Sequence, residues 1–281
     1  MRSPALFPTG TRPASGAGPA SVTVPSSGAG LVRPRPTRIS VEHDGGRARF
    51  SVLDQGLYLA ARPVNGTARP LHLRVALIGI HMMLLGGDDV RIEVSVGPGV
   101  TLEVVEPAGQ VAYDADLVPS RWSLHAELGE DSALIWDGAS FVAAAGSNVQ
   151  RETRLQLAAG ARALVRETLV LGRSGEHGGR LRSTTRAAGP GGDILFEDLN
   201  LTGPRDRAVG ILGAAKAVAS ATAVGWRPGQ AAVPGVPDDS RARRFDLAGP
   251  GAVARSLSTE AHRADSAAAP VYEAWRAELT G

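Results

Sequence analysis

From Thr37 onward, apolar and polar residues alternate with period two in short runs such as Arg47-Ala-Arg-Phe-Ser-Val-Leu53 and Asp89-Val-Arg-Ile-Glu-Val-Ser-Val96. That period is the mark of half-buried strands, whose successive side chains point to opposite faces. A longer period overlies it. Gly99-Val-Thr-Leu-Glu-Val104, Asp131-Ser-Ala-Leu-Ile-Trp136, Ala161-Arg-Ala-Leu-Val-Arg166 and Gly192-Asp-Ile-Leu-Phe-Glu197 place Leu102, Leu134, Leu164 and Leu195 at spacings of 32, 30 and 31. Each copy lies beside another alternating run, as Trp122-Ser-Leu-His-Ala-Glu-Leu128 does before Gly129, so the unit reads as strand, tight turn, strand. One unit cannot bury its inner face alone. Stacked units give two facing sheets or a wide β-solenoid, and hence one mainly β domain over residues 37–281.

Helix signals are fewer. Over Ala267–Leu279, Val271, Trp275 and Leu279 share a face and Pro270 suits a first turn. Part of Ala208–Ala223 is a second helical candidate. The Pro and Gly cluster from Arg227 to Asp239 predicts a surface loop. Residues 1–36, rich in Pro, Gly, Ser and Ala, predict a flexible tail, since burial there cannot repay the entropy of ordering.

Composition removes several classes of function. A chain of 281 residues with no cysteine needs no disulfide to fold and has no thiolate metal site or cysteine nucleophile. The net charge is only +2, nearly every base is arginine with Lys216 the sole lysine, and aromatics are 4 %. The arginines are dispersed rather than interleaved with aromatics, which argues against nucleic-acid binding. No secretory h-region stands near Met1, and Ala208–Gly225 is interrupted by Lys216; the expectation is a cytoplasmic protein that does not span a membrane.

The chain has no phosphate-binding loop, nucleophile elbow or His-Glu-x-x-His helix, so no catalytic residue is assigned and no enzyme is expected. Its six histidines are scattered without metal-ligand spacing. Gly86-Gly-Asp-Asp89 suits a tight turn in which Gly86 and Gly87 take positive φ; alternatively Asp88 faces a polar interior or a passing cation, with His81, Met82 and Met83 as transient ligands. In Gly172-Arg-Ser-Gly-Glu-His-Gly-Gly179, Arg173 and Glu176 can pair across a turn begun by Gly172, or the segment is a solvated loop. In Ile194-Leu-Phe-Glu-Asp-Leu199 an acid interrupts large apolar residues. If both faces of that strand are covered, Glu197 or Asp198 is paired or solvated inside, and a buried acid is a candidate functional group.

The ordered set of segments resembles the UreD (UreH) family of urease accessory proteins. It comprises the Gly-Gly-Asp turn at 86–88, the turn at 97–99, Ala112-Tyr113, Leu134-Ile-Trp136, the strand around Phe141, Gly172-Arg-x-x-Gly-Glu176, Ile194-Leu-Phe-Glu-Asp-Leu199 and a terminal helix with Trp275-Arg276, over about Arg47–Leu279. The chain departs from the family pattern at Ile80-His-Met-Met83, at Val111 and at Asp137-Gly-Ala139. The resemblance implies a right-handed β-helical scaffold that binds a UreF-like accessory protein and, through it, a UreG-like GTPase, the assembly docking on apo-urease. It also implies an internal polar route for transient Ni²⁺, with no tightly bound cofactor. Asp88, Arg173, Glu176 and Glu197 are the positions carried over. Two other classes compete: a polysaccharide hydrolase or lyase on a β-solenoid, against which the sparse aromatics argue, and a binding scaffold unrelated to nickel.

Overall fold

A computed structural model describes residues 34–65, 69–116, 118–201, 212–229 and 242–281. Its strands are, in order, β1 (Thr37–Asp44), β2 (Arg47–Asp54), β3 (Leu59–Val64), β4 (His72–Gly79), β5 (Asp89–Val96), β6 (Thr101–Val105), β7 (Gln110–Ala112) and β8 (Ser120–Leu128). Then come β9 (Ala133–Ala143), β10 (Asn148–Leu157), β11 (Arg162–Leu171), β12 (Arg180–Gly189), β13 (Gly192–Asn200), β14 (Ala217–Val224), β15 (Arg243–Asp246) and β16 (Gly251–Ser258), followed by the helix α1 (Ala261–Thr280). Among the described residues no helix is long and apolar enough to cross a membrane. The tail expected over 1–36 lies outside the described residues up to 33. Pro34–Pro36 belong to the fold, the Arg35 carbonyl accepting the Leu57 N–H at 3.1 Å.

The strands form two facing sheets. In the first, β1, β5, β8, β10 and β12 run parallel, with β2 and β13 added antiparallel at the edges. In the second, β4, β6, β9 and β11 run parallel, flanked antiparallel by β3 on one side and by β14, β16 and β15 on the other. From β4 to β12 the chain passes from sheet to sheet, adding strands to each: the β-solenoid expected from the sequence.

The coil length is not uniform. Thr101 pairs with Ala133 and Ala133 with Arg162, steps of 32 and then 29 residues. Leu102 and Leu134 therefore align inside the solenoid, but Leu164 pairs with Ile135 and lies in the cluster under α1. A one-residue slip moves a side chain to the opposite face of a sheet. Leu195 belongs to β13 in the other sheet and pairs with Ala187, so it is not a fourth copy of the repeat.

One corner of each coil is tight. Gly99, Asp131 and Gly160 occupy equivalent places with φ of +68°, +52° and +69°. The Gly99 N–H donates to the Glu130 carbonyl at 2.9 Å and the Asp131 N–H to the Ala159 carbonyl at 3.0 Å, so the corners stack by backbone bonds. At Gly160 a Cβ would collide with Asp131 Oδ1.

The second sheet is covered on both faces, by the solenoid interior on one and by α1 on the other. Ala264, Ala268, Val271, Tyr272, Trp275 and Leu279 form the buried stripe of the helix. Under it β14 presents Ala217, Ala219, Ala221 and Ala223, while Val218 and Val224 face inward. Small residues let the helix approach closely. This corrects the helical expectation for Ala208–Ala223: Ala217–Val224 is a strand buried on both faces, and so reads as a continuous apolar run. Residues 208–211 lie outside the described set, as does most of the loop expected over Arg227–Asp239. The terminal helix begins at Ala261 rather than near Ala267, so Pro270 sits in its interior, where it forgoes the bond to the Ser266 carbonyl.

Candidate functional site

The interior holds a row of ionisable side chains, and a β-bulge begins it. In β9, Asp137 pairs with Arg166 and Ser140 with Thr168, leaving Gly138 and Ala139 opposite Glu167 alone. Gly138 is required there, since a Cβ would stand 2.5 Å from the Arg166 carbonyl oxygen. The bulge frees the Ala139 N–H, which donates to Glu106 Oε2 at 3.2 Å, and Trp136 Nε1–H donates to Glu106 Oε1 at 3.1 Å. Burial pushes the Glu106 carboxyl up to about 7, against the pull of Arg151 and of those two donors.

Arg151 reaches in from β10 of the opposite sheet and is 7 % exposed. Its guanidinium lies 3.9 Å from the Trp122 ring centroid and 5.4 Å from that of Phe141, and it meets Glu167 Oε2 of β11 at 3.3 Å. The buried Arg151 Nε and Trp122 Nε1 have no hydrogen-bond partner among the described residues. Beyond Glu167 is a void of about 10 Å³ lined by Thr153, Thr185, Thr222 and Leu195. Arg255 of β16 follows, donating to both oxygens of Glu197 at 2.7 and 2.8 Å. Burial opposes the charge on Arg255, but the bonds and charge of Glu197 hold its pKa above the usual arginine value. Glu106, Arg151, Glu167, Arg255 and Glu197 thus succeed one another across both sheets, with Arg151 the buried member and the others half-buried, Glu197 at 32 %.

The outer face of the second sheet carries a different ionic cluster. Glu103, 2 % exposed, accepts bonds from Arg276 Nε at 3.1 Å and Nη2 at 2.8 Å, with His72 Nε2 at 3.3 Å and Arg74 Nε at 3.6 Å. Burial alone would raise its pKa, but His72, Arg276 and Arg74 outweigh burial and hold it below the ordinary value. Nearby, Arg166 bridges Asp137 at 3.1 Å and Asp265 of α1 at 2.8 Å. Both networks fasten α1 to the sheet.

Of the residues singled out from sequence, only Glu197 belongs to the interior row. Only one face of its strand is covered: Phe196 is 66 % exposed, and Asp198 pairs with Arg182 on the outer surface. Asp88 shapes the turn it ends, accepting the Leu85 N–H at 2.7 Å and the Tyr58 hydroxyl at 3.0 Å. Gly87 takes the positive φ expected of the turn, +87°. Gly86 does not; its requirement is space, a Cβ there falling 2.7 Å from the Ala115 carbonyl oxygen. Arg173 and Glu176 do pair, Arg173 Nε donating at 2.8 Å next to Gly172, whose φ is +85°. The Arg173 bond, with backbone donors, pulls the Glu176 carboxyl down to about 2. His81 and Met82 are exposed and Met83 is buried; the three border a groove that also takes in Ile78, Val111 and Tyr113. Among the described residues no three His, Cys, Asp or Glu side chains converge as metal ligands.

Glu106, Arg151, Glu167 and Arg255 do not stand out in the sequence, where a polar residue in an alternating strand reads as solvent-facing. One signal was available for Glu167. In Ala163-Leu-Val-Arg-Glu-Thr-Leu-Val-Leu171 apolar residues occupy both parities, so both faces are buried and the adjacent polar residues must be buried with them.

The UreD urease accessory protein family matches residues 77–281. The chain is 46 % identical over 245 residues to urease accessory protein UreD 1 of Streptomyces griseus subsp. griseus, covering 86 % of this chain and 92 % of that one. It is 33 % identical to urease accessory protein UreD of Streptomyces coelicolor, covering 80 % and 90 %, and 34 % identical to that of Frankia alni, covering 70 % and 68 %.

Proposed function

The chain belongs to the UreD family of urease accessory proteins, a non-catalytic family of urease maturation, and on that premise we propose that it is a scaffold that helps load nickel into apo-urease. In this reading it binds a UreF-like protein, through it a UreG-like GTPase, and then apo-urease, and the ion passes along the polar interior. The observation that carries the reading is the row of Glu106, Arg151, Glu167, Arg255 and Glu197 inside an otherwise apolar solenoid. Burying charges is costly, and even a paired set is seldom more stable than apolar side chains of the same volume, so a row of them supports a functional reading. Carboxylate oxygens suit a passage because they hold Ni²⁺ less tightly than a set of imidazoles would, allowing it to leave. Glu197 is then the solvent-side acid of the route, while Asp88, Arg173 and Glu176 act at the loops that the ion or a partner meets first.

The test is co-expression of urease with its other accessory proteins, with and without this chain. The expected result is a large loss of both urease nickel and urea hydrolysis when the chain is omitted, and co-purification of the UreF-like partner when it is present. Equal nickel content in the two preparations would sink the proposal.

A further inference from the structure

We propose that Arg151 is a movable plug in the interior row: stacked on Trp122 and paired with Glu167 it closes the solenoid to cations, and its displacement exposes Glu106 and Glu167 together as a two-carboxylate path for a divalent ion. The inference rests on the nickel reading above and adds its regulation.

Three observations support it. First, Arg151 occupies the point where the route must pass. It comes from one sheet and pairs with Glu167 of the other at 3.3 Å, its charge also acting on Glu106. A guanidinium there repels an approaching divalent ion at short range in a region of low dielectric. Second, the row is tight beyond Glu167. The void beyond Glu167 holds about 10 Å³, at most one water, so transport requires a side chain to move. Third, Arg151 is lightly held for a buried arginine. It has one ion pair and an aromatic stack, while its Nε and the neighbouring Trp122 Nε1 lack acceptors among the described residues. Arg276, by contrast, is fixed to Glu103 by several hydrogen bonds, so fewer polar bonds have to break for Arg151 to move.

The experiment uses the purified full chain and NiCl2, read by quenching of indole fluorescence, which Ni²⁺ brings about only at short range. Trp122 and Trp136 line the interior and report its accessibility. For Arg151→Met, which keeps bulk and removes charge, the quenching constant is expected to rise roughly tenfold, a conservative figure for removing one unit charge near the path. Arg151→Lys should stay near wild type, and the gain should shrink in Arg151→Met combined with Trp122→Phe, with Trp136 beside Glu106 still reporting. Arg151→Gln, which also removes the charge and leaves both carboxylates in place, should raise quenching too and decides the matter if Arg151→Met does not fold. Equal quenching in wild type and in whichever of Arg151→Met and Arg151→Gln folds overturns the plug. Increased quenching combined with urease nickel that does not depend on this chain upholds the plug and removes the nickel-delivery reading instead.

Discussion

Glu103 and Glu106 stand three residues apart at the end of one strand, and their fates are opposite. Glu103 faces α1 and is met by Arg276, Arg74 and His72, which hold its carboxyl ionised. Glu106 turns inward at the bulge, receives two neutral donors, and burial lifts it to about 7. The neighbours Arg166 and Glu167 of β11 divide in the same way, one into the helix clamp and the other into the interior row. The sheet thus separates two ionic regions: an outer one in which cations gathered on Glu103 and Asp265 fasten α1 to the sheet, and an inner one in which Arg151 and Arg255 alternate with Glu106, Glu167 and Glu197.

The most severe way to break this comparison is Glu103→Gln. It strands Arg276, Arg74 and His72 against a neutral amide. Breaking a buried pair of this kind costs about 2–3 kcal/mol once the partial exposure of the arginines is allowed for, and urea denaturation should show that loss. Glu106→Gln is expected to act in the other direction. A carboxyl whose folded pKa is raised stabilises fully below its unfolded value of 4.5 and loses that contribution as pH climbs through about 7. The amide should therefore match wild type at pH near 5 and exceed it by up to about 1 kcal/mol at pH near 8; denaturation at the two pH values reads the difference. Glu103, with its lowered pKa, gives the opposite slope, stabilising above its unfolded value and losing that contribution as pH falls.

Glu197→Gln and Asp88→Asn test function with smaller effects on folding. The Glu197–Arg255 pair is partly exposed, and Asn at 88 can still accept the Tyr58 bond, so each should cost no more than about 1 kcal/mol. Reduced nickel in co-expressed urease with unchanged melting is the expected outcome for both; full loading would remove them from the route. Smallest is Glu176→Gln. The wild-type carboxyl, lowered to about 2, stabilises the turn above its unfolded pKa and loses that effect as pH falls toward 2, so the amide should flatten the acid limb of a melting profile.

The sequence made the strands of the first sheet legible because period two survives in β5, β8 and β10, and it made the Arg173–Glu176 turn legible because the pair is local. It hid the phase of the repeat: coils alternate between 32 and 29 residues, and a spacing of 30 between Leu134 and Leu164 looks regular while placing the two on opposite faces. The interior row was hidden for a related reason. Whether Glu103 or Glu106 points inward depends on where the strand ends and where Gly138 bulges, and these are facts of register between strands far apart in the chain. Glu197 was recoverable because it interrupts large apolar residues, although its partner Arg255, on a strand that arrives later, was not.

The helix α1 follows every strand it covers, and its Arg276 reaches back 173 positions to Glu103. During synthesis the coils can stack one upon the next, each finding a neighbour about one coil back, while the alanine-lined outer face of β14 and the charge of Glu103 stay bare until α1 has left the ribosome. A nascent chain therefore presents a half-clad sheet in the interval between the emergence of β14 and that of α1.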